Sequence, residues 1–142
     1  MNLANKIFNI SAEKDFENLA LEIFQYQYKE VKVYQQFCDL LKVNPTTVKS
    51  LNKIPFLPIQ FFKSHQIIAD HKKHKVVFSS SGTTGSILSK HYVHDLQLYK
   101  TGFTKTFNSF MKSSKELTIL ALLPNYLERE GSSLVFMVNE LI

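Results

Sequence analysis

Residues 79–85 combine hydroxyl side chains with glycine in a pattern that could bind an anion. This segment, the hydroxyl loop, consists of Ser79, Ser80, Ser81, Gly82, Thr83, Thr84 and Gly85. Its five hydroxyls can donate hydrogen bonds, and its glycines allow successive backbone N–H groups to turn toward a phosphate. Each hydrogen bond to a charged oxygen contributes about 1.5 to 3 kcal/mol. A few such bonds could hold a triphosphate without a basic side chain in the loop.

The sequence of this segment excludes two better-known phosphate-binding loops, and a third kind of site, a hydrolase, is disfavoured. A Walker A loop requires Lys directly after its second glycine, whereas Gly85 is followed by Ser86. A dinucleotide-binding loop requires three glycines, and only two are present. A Ser-His-Asp hydrolase built from Ser81, His91 and Asp95 would lack the nucleophile elbow that such enzymes use.

The segments on either side of the loop are expected to form a hairpin. Residues 76–78 are β-branched or aromatic, which favours a buried strand, and residues 90–94 are predicted to pair with them. Lys90, His91 and His94 are therefore candidates for a position near the loop, with both histidines expected on the polar face. A surface histidine with no role in binding is the alternative for each.

The remaining periodicity predicts helices and one further strand. Ser11 is a predicted N-cap for a helical region with a break near Tyr28. Asp95 is predicted to cap the helix that follows the hairpin, and an apolar helix is expected after Ser132. Residues 117–123 read as a continuous buried strand. Residues 54–62 contain two prolines, which predict an extended or turned segment outside any central strand.

This alternation predicts an α/β fold, with N-terminal helices followed by a mixed sheet and flanking helices. A chain of 142 residues is expected to form one domain. Within it, residues 1–52 are the predicted helical lead-in, and residues 53–142 form the predicted strand, phosphate-loop and helix region. With 44% hydrophobic and 20% charged residues, the composition is that of an ordinary soluble protein.

The charged residues and the single cysteine indicate which kind of partner the protein binds and in which cellular compartment it is expected. The net charge of +5 comes from scattered lysines and one arginine, which favours an anionic substrate over nucleic acid. The basic run at residues 71–75 is interpreted as a solvated turn, and its two histidines are too few for a metal site. No apolar run is long enough for a membrane span. Cys38 cannot form an internal disulfide, so we expect a packed core thiol and a cytoplasmic location.

The hydroxyl loop resembles the first phosphate-loop motif of the adenylate-forming enzymes, a superfamily that includes acyl-CoA synthetases and luciferases. Ser80 to Ile87 match that motif position by position. The chain departs from the motif at Leu88, where many members carry Lys, and Lys90 lies two residues further on. The resemblance implies that the loop holds the β- and γ-phosphates of ATP.

Three segments together resemble the acyl-protein synthetase branch, which includes the fatty-acid-activating component of bacterial luminescence. They are Ile54–Lys63, Ser80–Gly85 and His91–Tyr99. The resemblance implies part of the large N-terminal domain of an adenylate-forming enzyme, with ATP and Mg2+ as cofactors. The implied reaction activates a carboxylic acid, expected to be a fatty acid, as an acyl adenylate for transfer to a protein or thiol acceptor.

The resemblance also implies that essential parts of the enzyme lie elsewhere. The superfamily's aromatic adenine-binding motif, its acidic ribose-binding residue and its catalytic lysine have no counterpart before Ile142. We therefore assign no catalytic residue or metal ligand, and we expect a fragment that is inactive alone. The alternative is a non-enzymatic accessory module that retains the loop to bind an anion or a protein partner.

Overall fold

The chain forms two compact units. The computed structural model describes residues 3–81, 87–111, 117–122 and 131–142. The first unit is Met1–Lys72 and the second is Lys73–Ile142. The predicted boundary between residues 52 and 53 separates two parts of one domain, and it stays a prediction.

Helices make up the regular structure of the first unit. In chain order they are α1 (Leu3–Ile7), α2 (Glu13–Glu30), α3 (Lys32–Leu40), a short 3-10 helix (Leu51–Lys53) and α4 (Phe61–Ser64). Apolar residues recur every three or four positions along α2 and α3, so each helix presents one face to the core. The extended conformation of Val31 separates these two helices. The expectation of a helix pair is confirmed, and the break lies slightly beyond the predicted position near Tyr28.

A side chain from the first turn of α2 caps the N-terminus of that helix. Ser11 was the predicted N-cap, but the structure places Ala12 at that position. The Asp15 carboxylate accepts hydrogen bonds from the Ser11 hydroxyl at 2.9 Å and from the Ala12 N–H at 3.1 Å. These bonds to Ser11 and Ala12 lower the pKa of Asp15. The cap prediction was wrong by one residue, because an acidic side chain in the first turn supplies the acceptor.

The core of the first unit surrounds Cys38, which is fully buried. Its buried members come from α2, α3 and the segments that follow: Phe24, Val31, Tyr34, Cys38, Val48 and Ala69. The Tyr34 hydroxyl donates a 2.6 Å hydrogen bond to the Pro55 carbonyl, which fixes residues 54–58 against α3. Burial raises the pKa of the Cys38 thiol. The prediction of a packed core thiol is confirmed.

The proline-containing segment joins this core without forming a strand. Residues 54–58 have no regular secondary structure, and α4 begins at Phe61. Leu57 packs against the core cluster, while Phe56 points to solvent. The Phe61 ring meets the Phe37 ring with a centroid separation of 5.8 Å. The predicted extended or turned conformation is confirmed for residues 54–60.

The second unit is built on a β-hairpin and two helices. Its elements in the described residues are β1 (Val76–Ser79), β2 (Lys90–Val93), α5 (Leu96–Phe110) and α6 (Ser133–Leu141). The strands pair antiparallel, with Val76 opposite Val93 and Ser79 opposite Lys90. The predicted hairpin is therefore confirmed, and the helices beside it make a mixed α/β unit. The mixed sheet that the sequence suggested is, in the described residues, a two-stranded antiparallel sheet.

Aromatic packing holds the hairpin and the two helices together. The buried Phe78 ring on β1 lies 5.1 Å from the Tyr99 ring of α5 and 5.3 Å from the Phe136 ring of α6, measured between centroids. Lys100 and Glu140 form an ion pair of 2.6 Å between the same helices. Apolar burial supplies most of the attraction here, because half-exposed ion pairs contribute at most about 1 kcal/mol.

Side-chain caps begin both helices of the second unit. The Asp95 carboxylate accepts a 2.9 Å hydrogen bond from the Leu98 N–H, which confirms the predicted cap of α5. The Ser132 hydroxyl accepts a longer bond of 3.4 Å from the Val135 N–H at the start of α6. The apolar helix that was expected after Ser132 is thus confirmed.

The strand predicted at residues 117–123 is wrong for the part that the structure describes. Residues 117–122 are not assigned to a strand, and the Leu120 and Leu122 side chains are fully exposed. Leu123 lies outside the described residues. An apolar run becomes a buried strand only where neighbouring strands can accept its backbone hydrogen bonds. The two-stranded hairpin pairs with no third strand in the described residues.

Two glycines provide a paired test of this unit. Gly131 has a φ of 81°, and an added Cβ would lie 3.4 Å from the Val77 carbonyl oxygen. Gly102 lies within α5, where an added Cβ meets nothing within 4 Å. We expect Gly131→Ala to lower the free energy of unfolding by about 1 to 3 kcal/mol. Gly102→Ala should raise it by about 0.5 to 1 kcal/mol.

Denaturant titration of both variants measures these two changes. The single methyl group added in each case makes the variants chemically matched. A Gly131→Ala variant as stable as the parent chain would show that the left-handed conformation at this position is not required.

Candidate phosphate-loop site

Two hydrogen bonds close the end of the hairpin from which the hydroxyl loop extends, here called the stem. The Ser80 N–H donates to the Ser89 carbonyl at 3.0 Å, and the Ser89 N–H donates to the Ser80 hydroxyl oxygen at 3.1 Å. These two bonds extend the β1–β2 ladder by one residue on each strand. Residues 82–86, which include the predicted site residues Gly82, Thr83, Thr84 and Gly85, lie outside the described residues.

A distant segment supports the first residue of the loop. The Ser79 N–H donates a 2.8 Å hydrogen bond to the carbonyl of Gly131, which directly precedes the Ser132 N-cap of α6. The start of α6 therefore lies beside Ser79. Because the N-terminus of a helix carries a partial positive charge, this arrangement adds a favourable field for an anion close to the loop.

Sequence reasoning missed this contribution from Gly131. The Gly-Ser pair before an apolar run identified the beginning of α6, but it carried no information about which strand would lie beside it. The close approach of Gly131 to Val77 and Ser79 also explains why glycine occupies this position.

The hydrogen bonds of the stem limit which loop atoms can bind a ligand. The N–H groups of Ser79 and Ser80 already donate to the carbonyls of Gly131 and Ser89. The Ser80 hydroxyl accepts a bond from Ser89, which uses an oxygen lone pair and leaves its proton for a further bond. At these two positions the side chains, rather than the backbone, are the donors suited to a phosphate.

The strand register places one of the predicted near-site residues at the loop. Lys90 is the direct partner of Ser79, so the two side chains project from the same face of the hairpin. Lys90 is exposed and lies next to Ser89, where the stem closes. Among the described residues it therefore supplies a positive charge at the loop end of the hairpin.

His91 lies on the opposite face of the hairpin from Ser79 and Lys90, although its side chain remains exposed. It is the register partner of Phe78, and its ring centroid is 6.0 Å from that of Tyr99 on α5. Partial desolvation in this environment lowers the pKa of His91. The prediction was wrong about the face of the hairpin only, because alternation along a strand separates two faces but does not say which of them the helices cover. His94 lies beyond the end of β2, directly before the Asp95 cap.

The geometry also counts against the hydrolase alternative. The Asp95 carboxylate accepts the Leu98 N–H at the start of α5, and His91 packs against Tyr99. These contacts give both side chains structural roles. Within the described ranges, no three His, Cys, Asp or Glu side chains gather where they could hold a metal.

Comparison with models of protein families identifies the family to which this chain belongs. The model of the acyl-protein synthetase family, LuxE, matches residues 4–116, which include both strands, the hydroxyl loop and all of α5. The chain belongs to the acyl-protein synthetase family. Neither the curated proteins nor the solved structures gave a match to it.

Membership of the acyl-protein synthetase family establishes the general activity. Acyl-protein synthetases are ligases that activate a fatty acid with ATP, typically with Mg2+, and use a protein acceptor. The resemblance that the three sequence segments suggested is thereby confirmed. None of the helices in the described part of the chain is long and apolar enough to cross a bilayer.

The partial desolvation of the His91 ring beside Tyr99 predicts a pH-dependent stability. Because the folded chain lowers the pKa of His91 below its ordinary value of 6.5, the neutral ring is favoured by folding. Its contribution is fully present above pH 6.5 and is lost as the pH falls through the lower pKa of the folded state. We expect the stability difference between the parent chain and His91→Phe to shift toward the variant between pH 7 and pH 5.

Urea titrations at several pH values measure this difference directly. The His94→Phe variant is the matched control, because it removes an imidazole three residues away. A parent chain and a His91→Phe variant with parallel pH profiles would contradict a lowered pKa of His91 in the folded chain.

Proposed function

We propose that this chain forms the phosphate-binding part of an enzyme that converts a fatty acid to an acyl adenylate. Ser79, Ser80, Ser81, Gly82, Thr83, Thr84 and Gly85 hold the β- and γ-phosphates of Mg-ATP. Lys90 contributes charge at the rim of this site. His91 and His94 have no direct part in binding.

One observation carries this proposal. In a chain of the acyl-protein synthetase family, a loop rich in hydroxyls extends from a hairpin whose stem is closed by Ser80 and Ser89. The start of α6 lies beside the same stem, because the Gly131 carbonyl accepts the Ser79 N–H. Several hydroxyl donors and a helix N-terminus suit a polyphosphate better than a neutral ligand.

The proposed reaction uses the loop to position ATP and to stabilise charge. A carboxylate oxygen attacks the α-phosphorus, the bond from that phosphorus to the bridging oxygen breaks, and pyrophosphate leaves. The acceptor nucleophile then attacks the acyl carbon, loses its proton and releases AMP. Hydroxyl donors from Ser79 and Ser80 would stabilise charge on the departing pyrophosphate. Backbone donors would come from Ser81 onward, since the two preceding N–H groups are already used.

We further propose that adenylation requires residues outside this chain. The adenine-binding motif, the ribose-binding acid and the catalytic lysine of adenylate-forming enzymes have no counterpart in its sequence. We therefore expect the isolated chain to bind nucleotide without catalysing adenylation. Carboxylate-dependent exchange of pyrophosphate into ATP by the isolated chain would contradict this part of the proposal.

Calorimetric titration with Mg-ATP tests the phosphate-binding role of the loop. The Thr83→Ala, Thr84→Ala double variant should lose at least about 1.5 kcal/mol of binding free energy, because each hydroxyl can donate to a charged oxygen. The control is the Thr104→Ala, Thr106→Ala double variant on α5, which removes the same atoms away from the loop. Equal affinity in both double variants would contradict the loop assignment. Loop-dependent binding without any acyl transfer by the complete enzyme would favour an accessory module.

The position of Lys90 leads to a second binding prediction. A unit charge about 4 Å from a phosphate is worth about 1 kcal/mol in water, so Lys90→Gln should weaken Mg-ATP binding about fivefold. Lys75 lies at the other end of the hairpin, about 13 Å away along the strand. Charges at that distance are screened at physiological salt, and Lys75→Gln should leave the affinity unchanged. Identical losses in both variants would indicate a general effect of net charge.

A further inference from the structure

The first unit exposes large apolar side chains at the junction of α3 and the segment leading to α4. Leu40, Phe56 and Ile59 are 84%, 81% and 70% exposed, and Leu41 is also exposed. Single exposed apolar residues are ordinary, whereas several large ones that lie close together on the surface are typical of an interaction site.

Contacts within the first unit bring these residues to the same region. The Tyr34 hydroxyl bonds to the Pro55 carbonyl, and the Phe37 and Phe61 rings are 5.8 Å apart. Residues 55–61 therefore run alongside the second half of α3. Phe56 and Ile59 belong to that segment, while Leu40 and Leu41 lie one helical turn beyond Phe37.

Lysines flank the exposed apolar residues in sequence. Lys42 follows Leu41, Lys53 precedes residues 54–61, and Lys63 lies on α4; all three are exposed. No Asp or Glu occurs between Leu40 and Ala69. The surface formed by these residues, here called the α3–α4 patch, comprises Leu40, Leu41, Lys42, Lys53, Phe56, Ile59 and Lys63.

We propose that the α3–α4 patch docks the enzyme on an anionic lipid bilayer. Phe56, Ile59 and the two leucines would enter the region between head groups and acyl chains, while the lysines would contact lipid phosphates. Apolar burial and attraction to anionic lipid act together in such peripheral binding, and each lysine near the surface strengthens it about fivefold.

The composition of the patch favours lipid over protein as its partner. Protein interfaces are enriched in aromatic residues and Arg and depleted in Lys. The patch has three lysines, no Arg and a single aromatic residue, Phe56. A second copy of this chain is also disfavoured, because a symmetric contact would place two sets of lysines against each other.

Co-sedimentation of the 142-residue chain with lipid vesicles tests this proposal. We expect binding to vesicles with phosphatidylglycerol in phosphatidylcholine, and much weaker binding to phosphatidylcholine alone. Lys53→Gln, Lys63→Gln should lower the partition coefficient roughly 30-fold. Lys14→Gln, Lys32→Gln is the control, because it removes the same charge from exposed positions outside the patch.

The apolar residues of the patch can also be tested against a matched control variant. Phe56→Ser, Ile59→Ser should lower the partition coefficient at least tenfold, since both side chains enter the bilayer. Phe110 and Ile142 are 86% and 79% exposed in the second unit, so Phe110→Ser, Ile142→Ser should change it less than twofold. All four positions are exposed, and circular dichroism of each double variant verifies its fold.

The absence of tryptophan from the sequence allows a direct measurement of insertion. Phe56→Trp should show a blue shift in fluorescence and quenching by brominated lipid when anionic vesicles are added. Phe110→Trp should show neither change. Three outcomes would overturn the proposal: no sedimentation with anionic vesicles, equal losses in the patch and control variants, or lysine-dependent binding without a response from the Phe56→Trp probe.

Discussion

The packing of the Phe78 ring is the interaction on which the second unit depends. This side chain lies on the face of the hairpin that Tyr99 and Phe136 cover. Because side chains alternate along a strand, burying Phe78 directs Ser79 and its partner Lys90 to the other face. The same packing brings α6 to the hairpin, so that Gly131 can accept the Ser79 N–H. A single buried aromatic residue thus determines which side chains remain beside the hydroxyl loop.

The resulting site differs from a loop that binds phosphate through its backbone alone. The stem uses the N–H groups of Ser79 and Ser80 to hold the hairpin and α6 together, so these residues offer their hydroxyls instead. A hydroxyl can rotate to follow an oxygen that moves during a reaction, whereas a backbone N–H in a ladder is fixed. This division suits a site that must bind ATP tightly at its stem and still release pyrophosphate.

Features with a local physical cause were predicted correctly from the sequence. The Asp95 cap, the helix pair in residues 13–40 and the interruption of regular structure by Pro55 and Pro58 each depend on a few neighbouring residues. Features that depend on residues distant in the sequence were not predicted. The register of β2 sends His91 toward α5, and residues 117–122 require a sheet that the described residues do not supply. The contribution of Gly131 was missed for the same reason.

The two proposed ligands, a phosphate and a lipid surface, would make different demands on the basic residues of this chain. A phosphate held by several hydroxyl donors would gain about 1.5 to 3 kcal/mol from each bond, so one lysine at the rim would suffice to adjust its affinity. A lipid surface offers no fixed geometry, and attraction to it grows with the number of cations presented. The α3–α4 patch accordingly has three lysines beside exposed apolar residues, while the hydroxyl loop has none. For an enzyme whose substrate is a fatty acid, this separation would allow lipid attachment and nucleotide binding to be changed independently.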